Sequence, residues 1–186
     1  MEWVIPAIAL VVLCLVVWIH RQLSGLRRAV EPAWVDLDAA LRSRHDQVSP
    51  LVHLLRAHLP GKAKGLDAAT QARKMAIVSE LSPESTAKAE QALTRAIEAL
   101  LPLAQSNAEL TADPRFHRMV ADLADAQAEI ATASAAFNLA VLRYDAAKRR
   151  GVHFVVARLL NFADIEFFAA TKAEREALEA NLGRGF

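Results

Sequence analysis

The chain has 186 residues, 54% of them hydrophobic, and its 22 Lys+Arg nearly balance 21 Asp+Glu. Near-neutral charge gives no electrostatic basis for binding nucleic acid, and a single cysteine, Cys14, allows neither an intrachain disulfide nor a cysteine-based zinc site. Six glycines and seven prolines in an alanine-rich sequence favour helices and argue against sheets.

From Trp3 to Ile19 the chain reads WVIPAIALVVLCLVVWI, with no charged residue. Seventeen helical residues span about 25 Å, the short end of what crosses a bilayer core of about 30 Å. Trp3 and Trp18 mark the two ends, where amphipathic rings favour the headgroup zone. A cleaved signal peptide fits less well. Only Met1 and Glu2 precede the run, so a basic leading region is missing, and no small-x-small site follows it. The flanking cations Arg21, Arg27 and Arg28 all lie on the C-terminal side. The positive-inside rule then leaves the N-terminus outside and puts the following domain in the cytoplasm, at a bacterial inner membrane. The expected division is an anchor over 1–20, a basic juxtamembrane segment over 21–29 and a helical domain over 30–186.

Past residue 28 the pattern is one of helical stripes separated by Pro and Gly. Val30, Trp34, Leu37, Leu41, Val48, Leu51 and Leu55 recur at steps of three and four, the spacing of a bundle helix that ends before Pro60-Gly61. A second pattern covers 62–81. Ser82-Pro83-Glu84 supplies an N-cap, a proline at the first helical position and an early acid for a third helix striped by Leu93, Ile97, Leu100, Leu101 and Ala104. Asp113-Pro114 opens a fourth, with Phe116, Val120, Leu123, Ile130, Phe137, Val141 and Tyr144 in heptad spacing as far as Gly151. Four such stripes with short connections predict an all-α chain: a transmembrane helix, then an antiparallel four-helix up-and-down bundle. The apolar stretch HFVVARLLNFADIEFF has no single period. It reads as a short helical segment capping the bundle or touching the membrane surface. If the helices alternate in direction, Lys148, Arg149 and Arg150 return beside Arg27 and Arg28 and face the headgroups.

Catalytic motifs are missing. His45, Asp46, His53 and His58 are the local cluster of titratable groups, but the three histidines do not share a helical face and read as surface or boundary residues. There is no HExxH, no Glu three residues before a His, no Gly-rich phosphate loop and no GxSxG. The expectation is a non-enzyme without a cofactor or metal. One polar feature stands out. Arg44 occupies a stripe position of the first bundle helix, and Gln127 and Ser134 interrupt the seam of the fourth. A buried unpaired guanidinium is costly, so Arg44 either snorkels outward or joins a buried polar layer that fixes helix register.

The segment LRRAVEPAWVDLDAALRSRHDQVSPLV, through Ala33-Trp34, Leu37-Asp38, Leu41, Arg42, Arg44, Asp46, Pro50 and Leu51-Val52, resembles the conserved stretch after the anchor in the LemA family of bacterial membrane proteins. Ala72-Arg73 resembles that family's later AR pair. Phe116, Leu123, Ile130, Ala131, Phe137, Asn138, Val141 and Tyr144 fit its long-helix pattern; Ala157, Phe162, Phe167-Phe168 and Glu174-Arg175-Glu176 are similar to its tail. Gln127 stands where the family has Glu, Ser134 where it has Arg, and Asp145 where it has Asn. The resemblance implies a bromodomain-like arrangement of four helices behind a single anchor, and no established catalytic activity. It also suggests a membrane-borne partner such as a membrane protease. The expectation is a tethered interaction or scaffolding module that works with membrane proteins or copies of itself. The competing readings are a small-ligand binder or enzyme with a site near Arg44, His45 and Gln127, and a lipid-sensing or membrane-shaping role for the C-terminal apolar segment.

Overall fold

A computed structural model describes residues 3–78 and 82–169, with positions 173, 176, 177 and 180. Leu81 and Glu174-Arg175 of the sequence patterns lie outside the described residues. All regular structure among the described residues is helical. It comprises α1 (Val4–His58), a 3-10 turn (Pro60–Lys62), α2 (Ala63–Val78), α3 (Pro83–Gln105), α4 (Ala108–Ala112), α5 (Pro114–Lys148) and α6 (Gly151–Leu159).

The apolar run, the basic stretch at 21–29 and the first apolar stripe of the domain lie on one continuous helix of 55 residues. It runs through Pro32 and Pro50, each of which removes one backbone hydrogen bond without ending the helix. Its apolar N-terminal part has an 18-residue window of mean hydropathy 2.3, of which 6% is buried. Trp3, Ile5, Ile8, Leu10, Val11 and Leu13 all stand exposed.

From Ile19 onward the same helix builds three apolar clusters in succession. Ile19 and Leu23 pack on Val156 and Ala157 of α6, with Val16, Ala147 and Phe162 beside them. Val30, Leu37, Ala40 and Leu41 pack on Ile130, Phe137 and Val141 of α5 and on Phe167 and Ala169. Val48, Leu51, Val52 and Leu55 meet residues of α2, α3, α4 and α5, among them Leu66, Leu93, Leu100, Leu110 and Phe116. Cross-links fix the relative directions. Arg56 pairs with Asp67 and Arg73 donates to the His45 carbonyl, so α2 returns along α1. Asn107 donates to the His58 carbonyl, which brings the end of α3 to the end of α1. Gly65 permits the close approach of α2 and α3, since a Cβ there would lie 3.1 Å from Leu100 Cδ2.

The start signals act as their chemistry dictates. Ser82 Oγ accepts from the Ser85 amide while Ser85 Oγ accepts from the Ser82 amide, a reciprocal cap completed by Pro83 and Glu84. α3 is therefore a separate helix and not a continuation of α2. Ser82→Ala should lower stability by about 0.5–2 kcal/mol, read as a lower thermal midpoint of the full-length protein in detergent. Asp113 caps α5 through the Arg115 amide. The five-residue α4 is too short to have a period, and its one sequence signal is the Asn107 cap, which accepts from Glu109 and Leu110.

The C-terminal stretch does two things. Gly151, at φ +31, breaks the helix after Arg149 and Arg150 and starts α6. After Asn161, also at positive φ, the chain leaves helical structure and lies along α1 and α5. Tyr144 Oη donates to the Ala163 carbonyl. Asn138 grips the Phe168 backbone from both sides, donating to its carbonyl at 3.0 Å and accepting from its amide at 2.8 Å. Asn138→Ala should release this strap at a cost of about 1–3 kcal/mol. Faster amide exchange confined to 162–169 would report it, and unchanged exchange there would refute the strap.

Candidate functional site

Between the second and third apolar clusters of α1 lies a single charged layer. Arg44 follows Leu41 and precedes Val48 on the inward stripe, and only 2% of it is exposed. Its guanidinium is held by three side chains. Nη2 pairs with Glu90 Oε2, and Nη1 donates to Thr94 Oγ1 at 2.9 Å and to Gln127 Oε1 at 2.9 Å. The Arg44 Nε finds no acceptor among the described residues. Gln127 is itself exposed, so α5 closes the layer from its solvent edge. Ser134 does not join: it is partly exposed, and its hydroxyl donates to the Ala131 carbonyl on its own helix.

Glu90, 5% exposed, is the hub of the layer. Its second oxygen, Oε1, lies 2.6 Å from His45 Nε2. Burial pushes the imidazole down to about 4, with the Arg44 and Arg73 guanidiniums adding to the effect and Asp46 and Asp38 opposing it. His45 is thus neutral near pH 7, and its Nε2–H donates to the carboxylate. Desolvation likewise lowers Arg44, to about 10, which leaves it charged near neutrality. One positive and one negative charge cancel, and neutral donors and acceptors complete the ring.

His45 is therefore a buried member of a network, whereas the sequence reading put it at the surface or boundary; His53 is exposed and His58 half-buried. Glu90 was missed as well, although a signal existed. It lies three residues before Leu93 and seven before Ile97, so extending the α3 stripe backward reaches it. On the outer side of the layer, a pocket of about 240 Å3 is lined by His45, Glu90, Arg73, Asp38, Asp46 and Thr86. No group of three or more metal-ligating side chains occurs among the described residues.

The other predicted residues lie toward the opposite end of α1. Trp18 is exposed and meets the His153 ring edge-on, at 5.9 Å between centroids. Arg21, Arg27 and Arg28 are exposed. Arg27 lies close enough to Tyr144 to act on its hydroxyl electrostatically, which brings the end of α5 to this level. The three cations after Tyr144 separate in role. Lys148 folds onto Asp164 and Asp145, Arg149 stays largely exposed 3.9 Å from Asp145, and Arg150 is exposed.

These features define a class: an all-helical protein with one long apolar N-terminal helix and an ion pair buried in its helical domain. Comparison with protein families matches residues 33–181 to the LemA family, most of the chain and all of the charged layer. The chain belongs to the LemA family. Among curated proteins, none matches it.

Proposed function

We propose that this chain is a single-pass, membrane-tethered scaffold: an antiparallel four-helix up-and-down bundle, with the bromodomain-like arrangement, held at the cytoplasmic face of a bacterial inner membrane. The observation that carries the reading is the change of environment along α1. Its first twelve residues are apolar and all exposed, and the same unbroken helix then becomes the spine of the domain. A helix of that composition is stable when lipid covers it. The cations Arg21, Arg27 and Arg28 follow the apolar run, which favours a cytoplasmic domain. Tethering confines the domain to two dimensions and raises its effective concentration toward membrane-borne partners, either a membrane protein or a second copy.

The state of Glu90 favours a structural role over a catalytic one. Both of its oxygens are engaged, one by Arg44 and one by His45, so neither is free to move a proton on a substrate.

The reading is tested on the full-length protein in cells. It should resist alkaline extraction from membranes. A cysteine introduced at exposed Asp125 should react with an impermeant maleimide only after the cells are opened, and crosslinking with mass spectrometry should recover membrane proteins or self-links. Release by alkali would refute the anchor, and labelling in intact cells would refute the orientation. Crosslinks to soluble proteins alone would refute the tethered-partner mechanism.

A further inference from the structure

We propose that α6 is an interfacial lipid-binding helix, whose outer face lies in the boundary between acyl chains and headgroups of the leaflet from which α1 emerges, on anionic lipid. The inference rests on the membrane-anchor reading of α1 and adds a second point of contact to it. Its first support is depth. α6 packs against α1 through Val156 and Ala157 on Ile19 and Leu23, at the residues where the apolar run ends. Trp18 against His153, and His153 Nε2 3.0 Å from Gln22 Oε1, hold the two helices at that level.

The second support is the face that remains. Turning about 100° per residue, the side of α6 away from α1 carries Val152, Phe154, Val155 and Leu159, all more than half exposed, with Leu160 just beyond. In a nine-residue helix of a water-exposed domain this apolar face has no cover, yet it adjoins the uncovered apolar run of α1. The third support is charge. Arg149 and Arg150 immediately precede α6, and Arg158 lies on its outer face between Phe154 and Val155, where a long side chain can reach up to the headgroups; all three are exposed. An exposed apolar helical face preceded by two cations, with a third long enough to reach the headgroups, is suited to an anionic interface. A short anchor of about 25 Å also benefits, since α6 covers the level at which α1 ceases to be apolar.

The experiment uses the full-length protein carrying Cys14→Ala and one introduced cysteine at a time: Val155→Cys, Leu159→Cys, Val11→Cys in the apolar run, or Asp125→Cys on the far part of α5. Each is spin-labelled and reconstituted into vesicles of phosphatidylcholine, with or without phosphatidylglycerol. Collision with oxygen and with a water-soluble nickel chelate is then measured. Labels at 155 and 159 should show nickel accessibility several-fold below that at 125 with high oxygen accessibility, and they should sit deeper when phosphatidylglycerol is present. Nickel accessibility at 155 and 159 equal to that at 125, with 11 lipid-buried, overturns the α6 assignment and leaves the anchor intact. Exposure of 11 to nickel overturns both readings. Shielding of 155 and 159 from both reagents means a protein surface covers α6 and overturns the lipid assignment. Equal depth in the two lipid mixtures overturns the part played by anionic headgroups.

Discussion

Glu90→Ala is expected to lower the unfolding free energy of the full-length protein in detergent by about 3–5 kcal/mol, the cost of leaving a buried charge without its partner. The replacement strips the Arg44 Nη2 of its acceptor and His45 Nε2 of its own, at a site where Arg44 is 2% exposed. Thr94 and Gln127 would remain on Nη1, but neither carries charge. Glu90→Gln keeps the shape and some of the hydrogen bonding while losing the charge, so it should fall between wild type and Glu90→Ala. Arg44→Met combined with Glu90→Leu should recover most of the loss, because removing both charges also removes the desolvation of each. Urea denaturation followed by helicity in one detergent measures all four proteins. A loss below about 1 kcal/mol for Glu90→Ala would place the pair in the range of solvated surface ion pairs and refute a dry charged layer. Recovery in the double variant would make the layer a device for alignment. The apolar clusters on either side could tolerate a slip along α1, but Arg44 meets Glu90, Thr94 and Gln127 at one register only.

The second large effect is a loss of stability on mild acidification. His45 ordinarily titrates near 6.5 and is pushed down to about 4 in the folded protein, first by burial and then by Arg44 and Arg73, with Asp46 and Asp38 opposing and Glu90 accepting its N–H. The unfolded chain therefore takes up a proton at this residue before the folded chain does. Its contribution is complete above about 6.5 and is lost as pH falls from there toward 4, by about 3 kcal/mol over the whole interval. Thermal midpoints of wild type and His45→Gln, measured between pH 7.5 and 4.5, should diverge on acidification in the sense that the wild type falls more. Parallel curves would mean that His45 binds its proton equally in the folded and unfolded chain, and would refute its displacement by burial. Asp145, raised by burial, works in the opposite direction, and Asp113 and Asp164, both held low, act mainly below this window. The difference between the two proteins isolates the imidazole.

Much of this architecture was readable from residue order because the signals were local. Ser82-Pro83 and Asp113-Pro114 state where helices begin, and heptad spacing from Phe116 to Tyr144 states which face α5 buries. Arg44 was readable as an anomaly, a charge on an apolar stripe. Its partner was harder to find. Glu90 sits in the first turns of α3, ahead of the apolar residues that reveal the stripe, and only the packing of α1 against α3 brings the two together. His45 was misplaced for a related reason. It adjoins the stripe without belonging to it, and its burial comes from the arrival of α2 and α3, which periodicity within α1 does not report. Ser134 kept the seam spacing, but its short side chain turned back to its own helix. For the C-terminal stretch, the mixed pattern around Phe154–Phe168 reflects two structures in succession, a helix against α1 and then an extended strap, so no single period applies.

If α1 is anchored in a bilayer as proposed, its continuity has a mechanical consequence. From Ile19 to His58 the helix extends about 58 Å at about 1.5 Å per residue, and α5 packs along it as a splint past Pro32 and Pro50. Without a hinge, the inclination of the apolar end and that of the distal end are the same quantity. A change of about 10° in tilt sweeps the His58 end sideways by about 10 Å, enough to carry a docked partner across the width of another helix. Because tilt follows the match between apolar length and bilayer thickness, local thinning or thickening of the bilayer would be converted into displacement at the far tip.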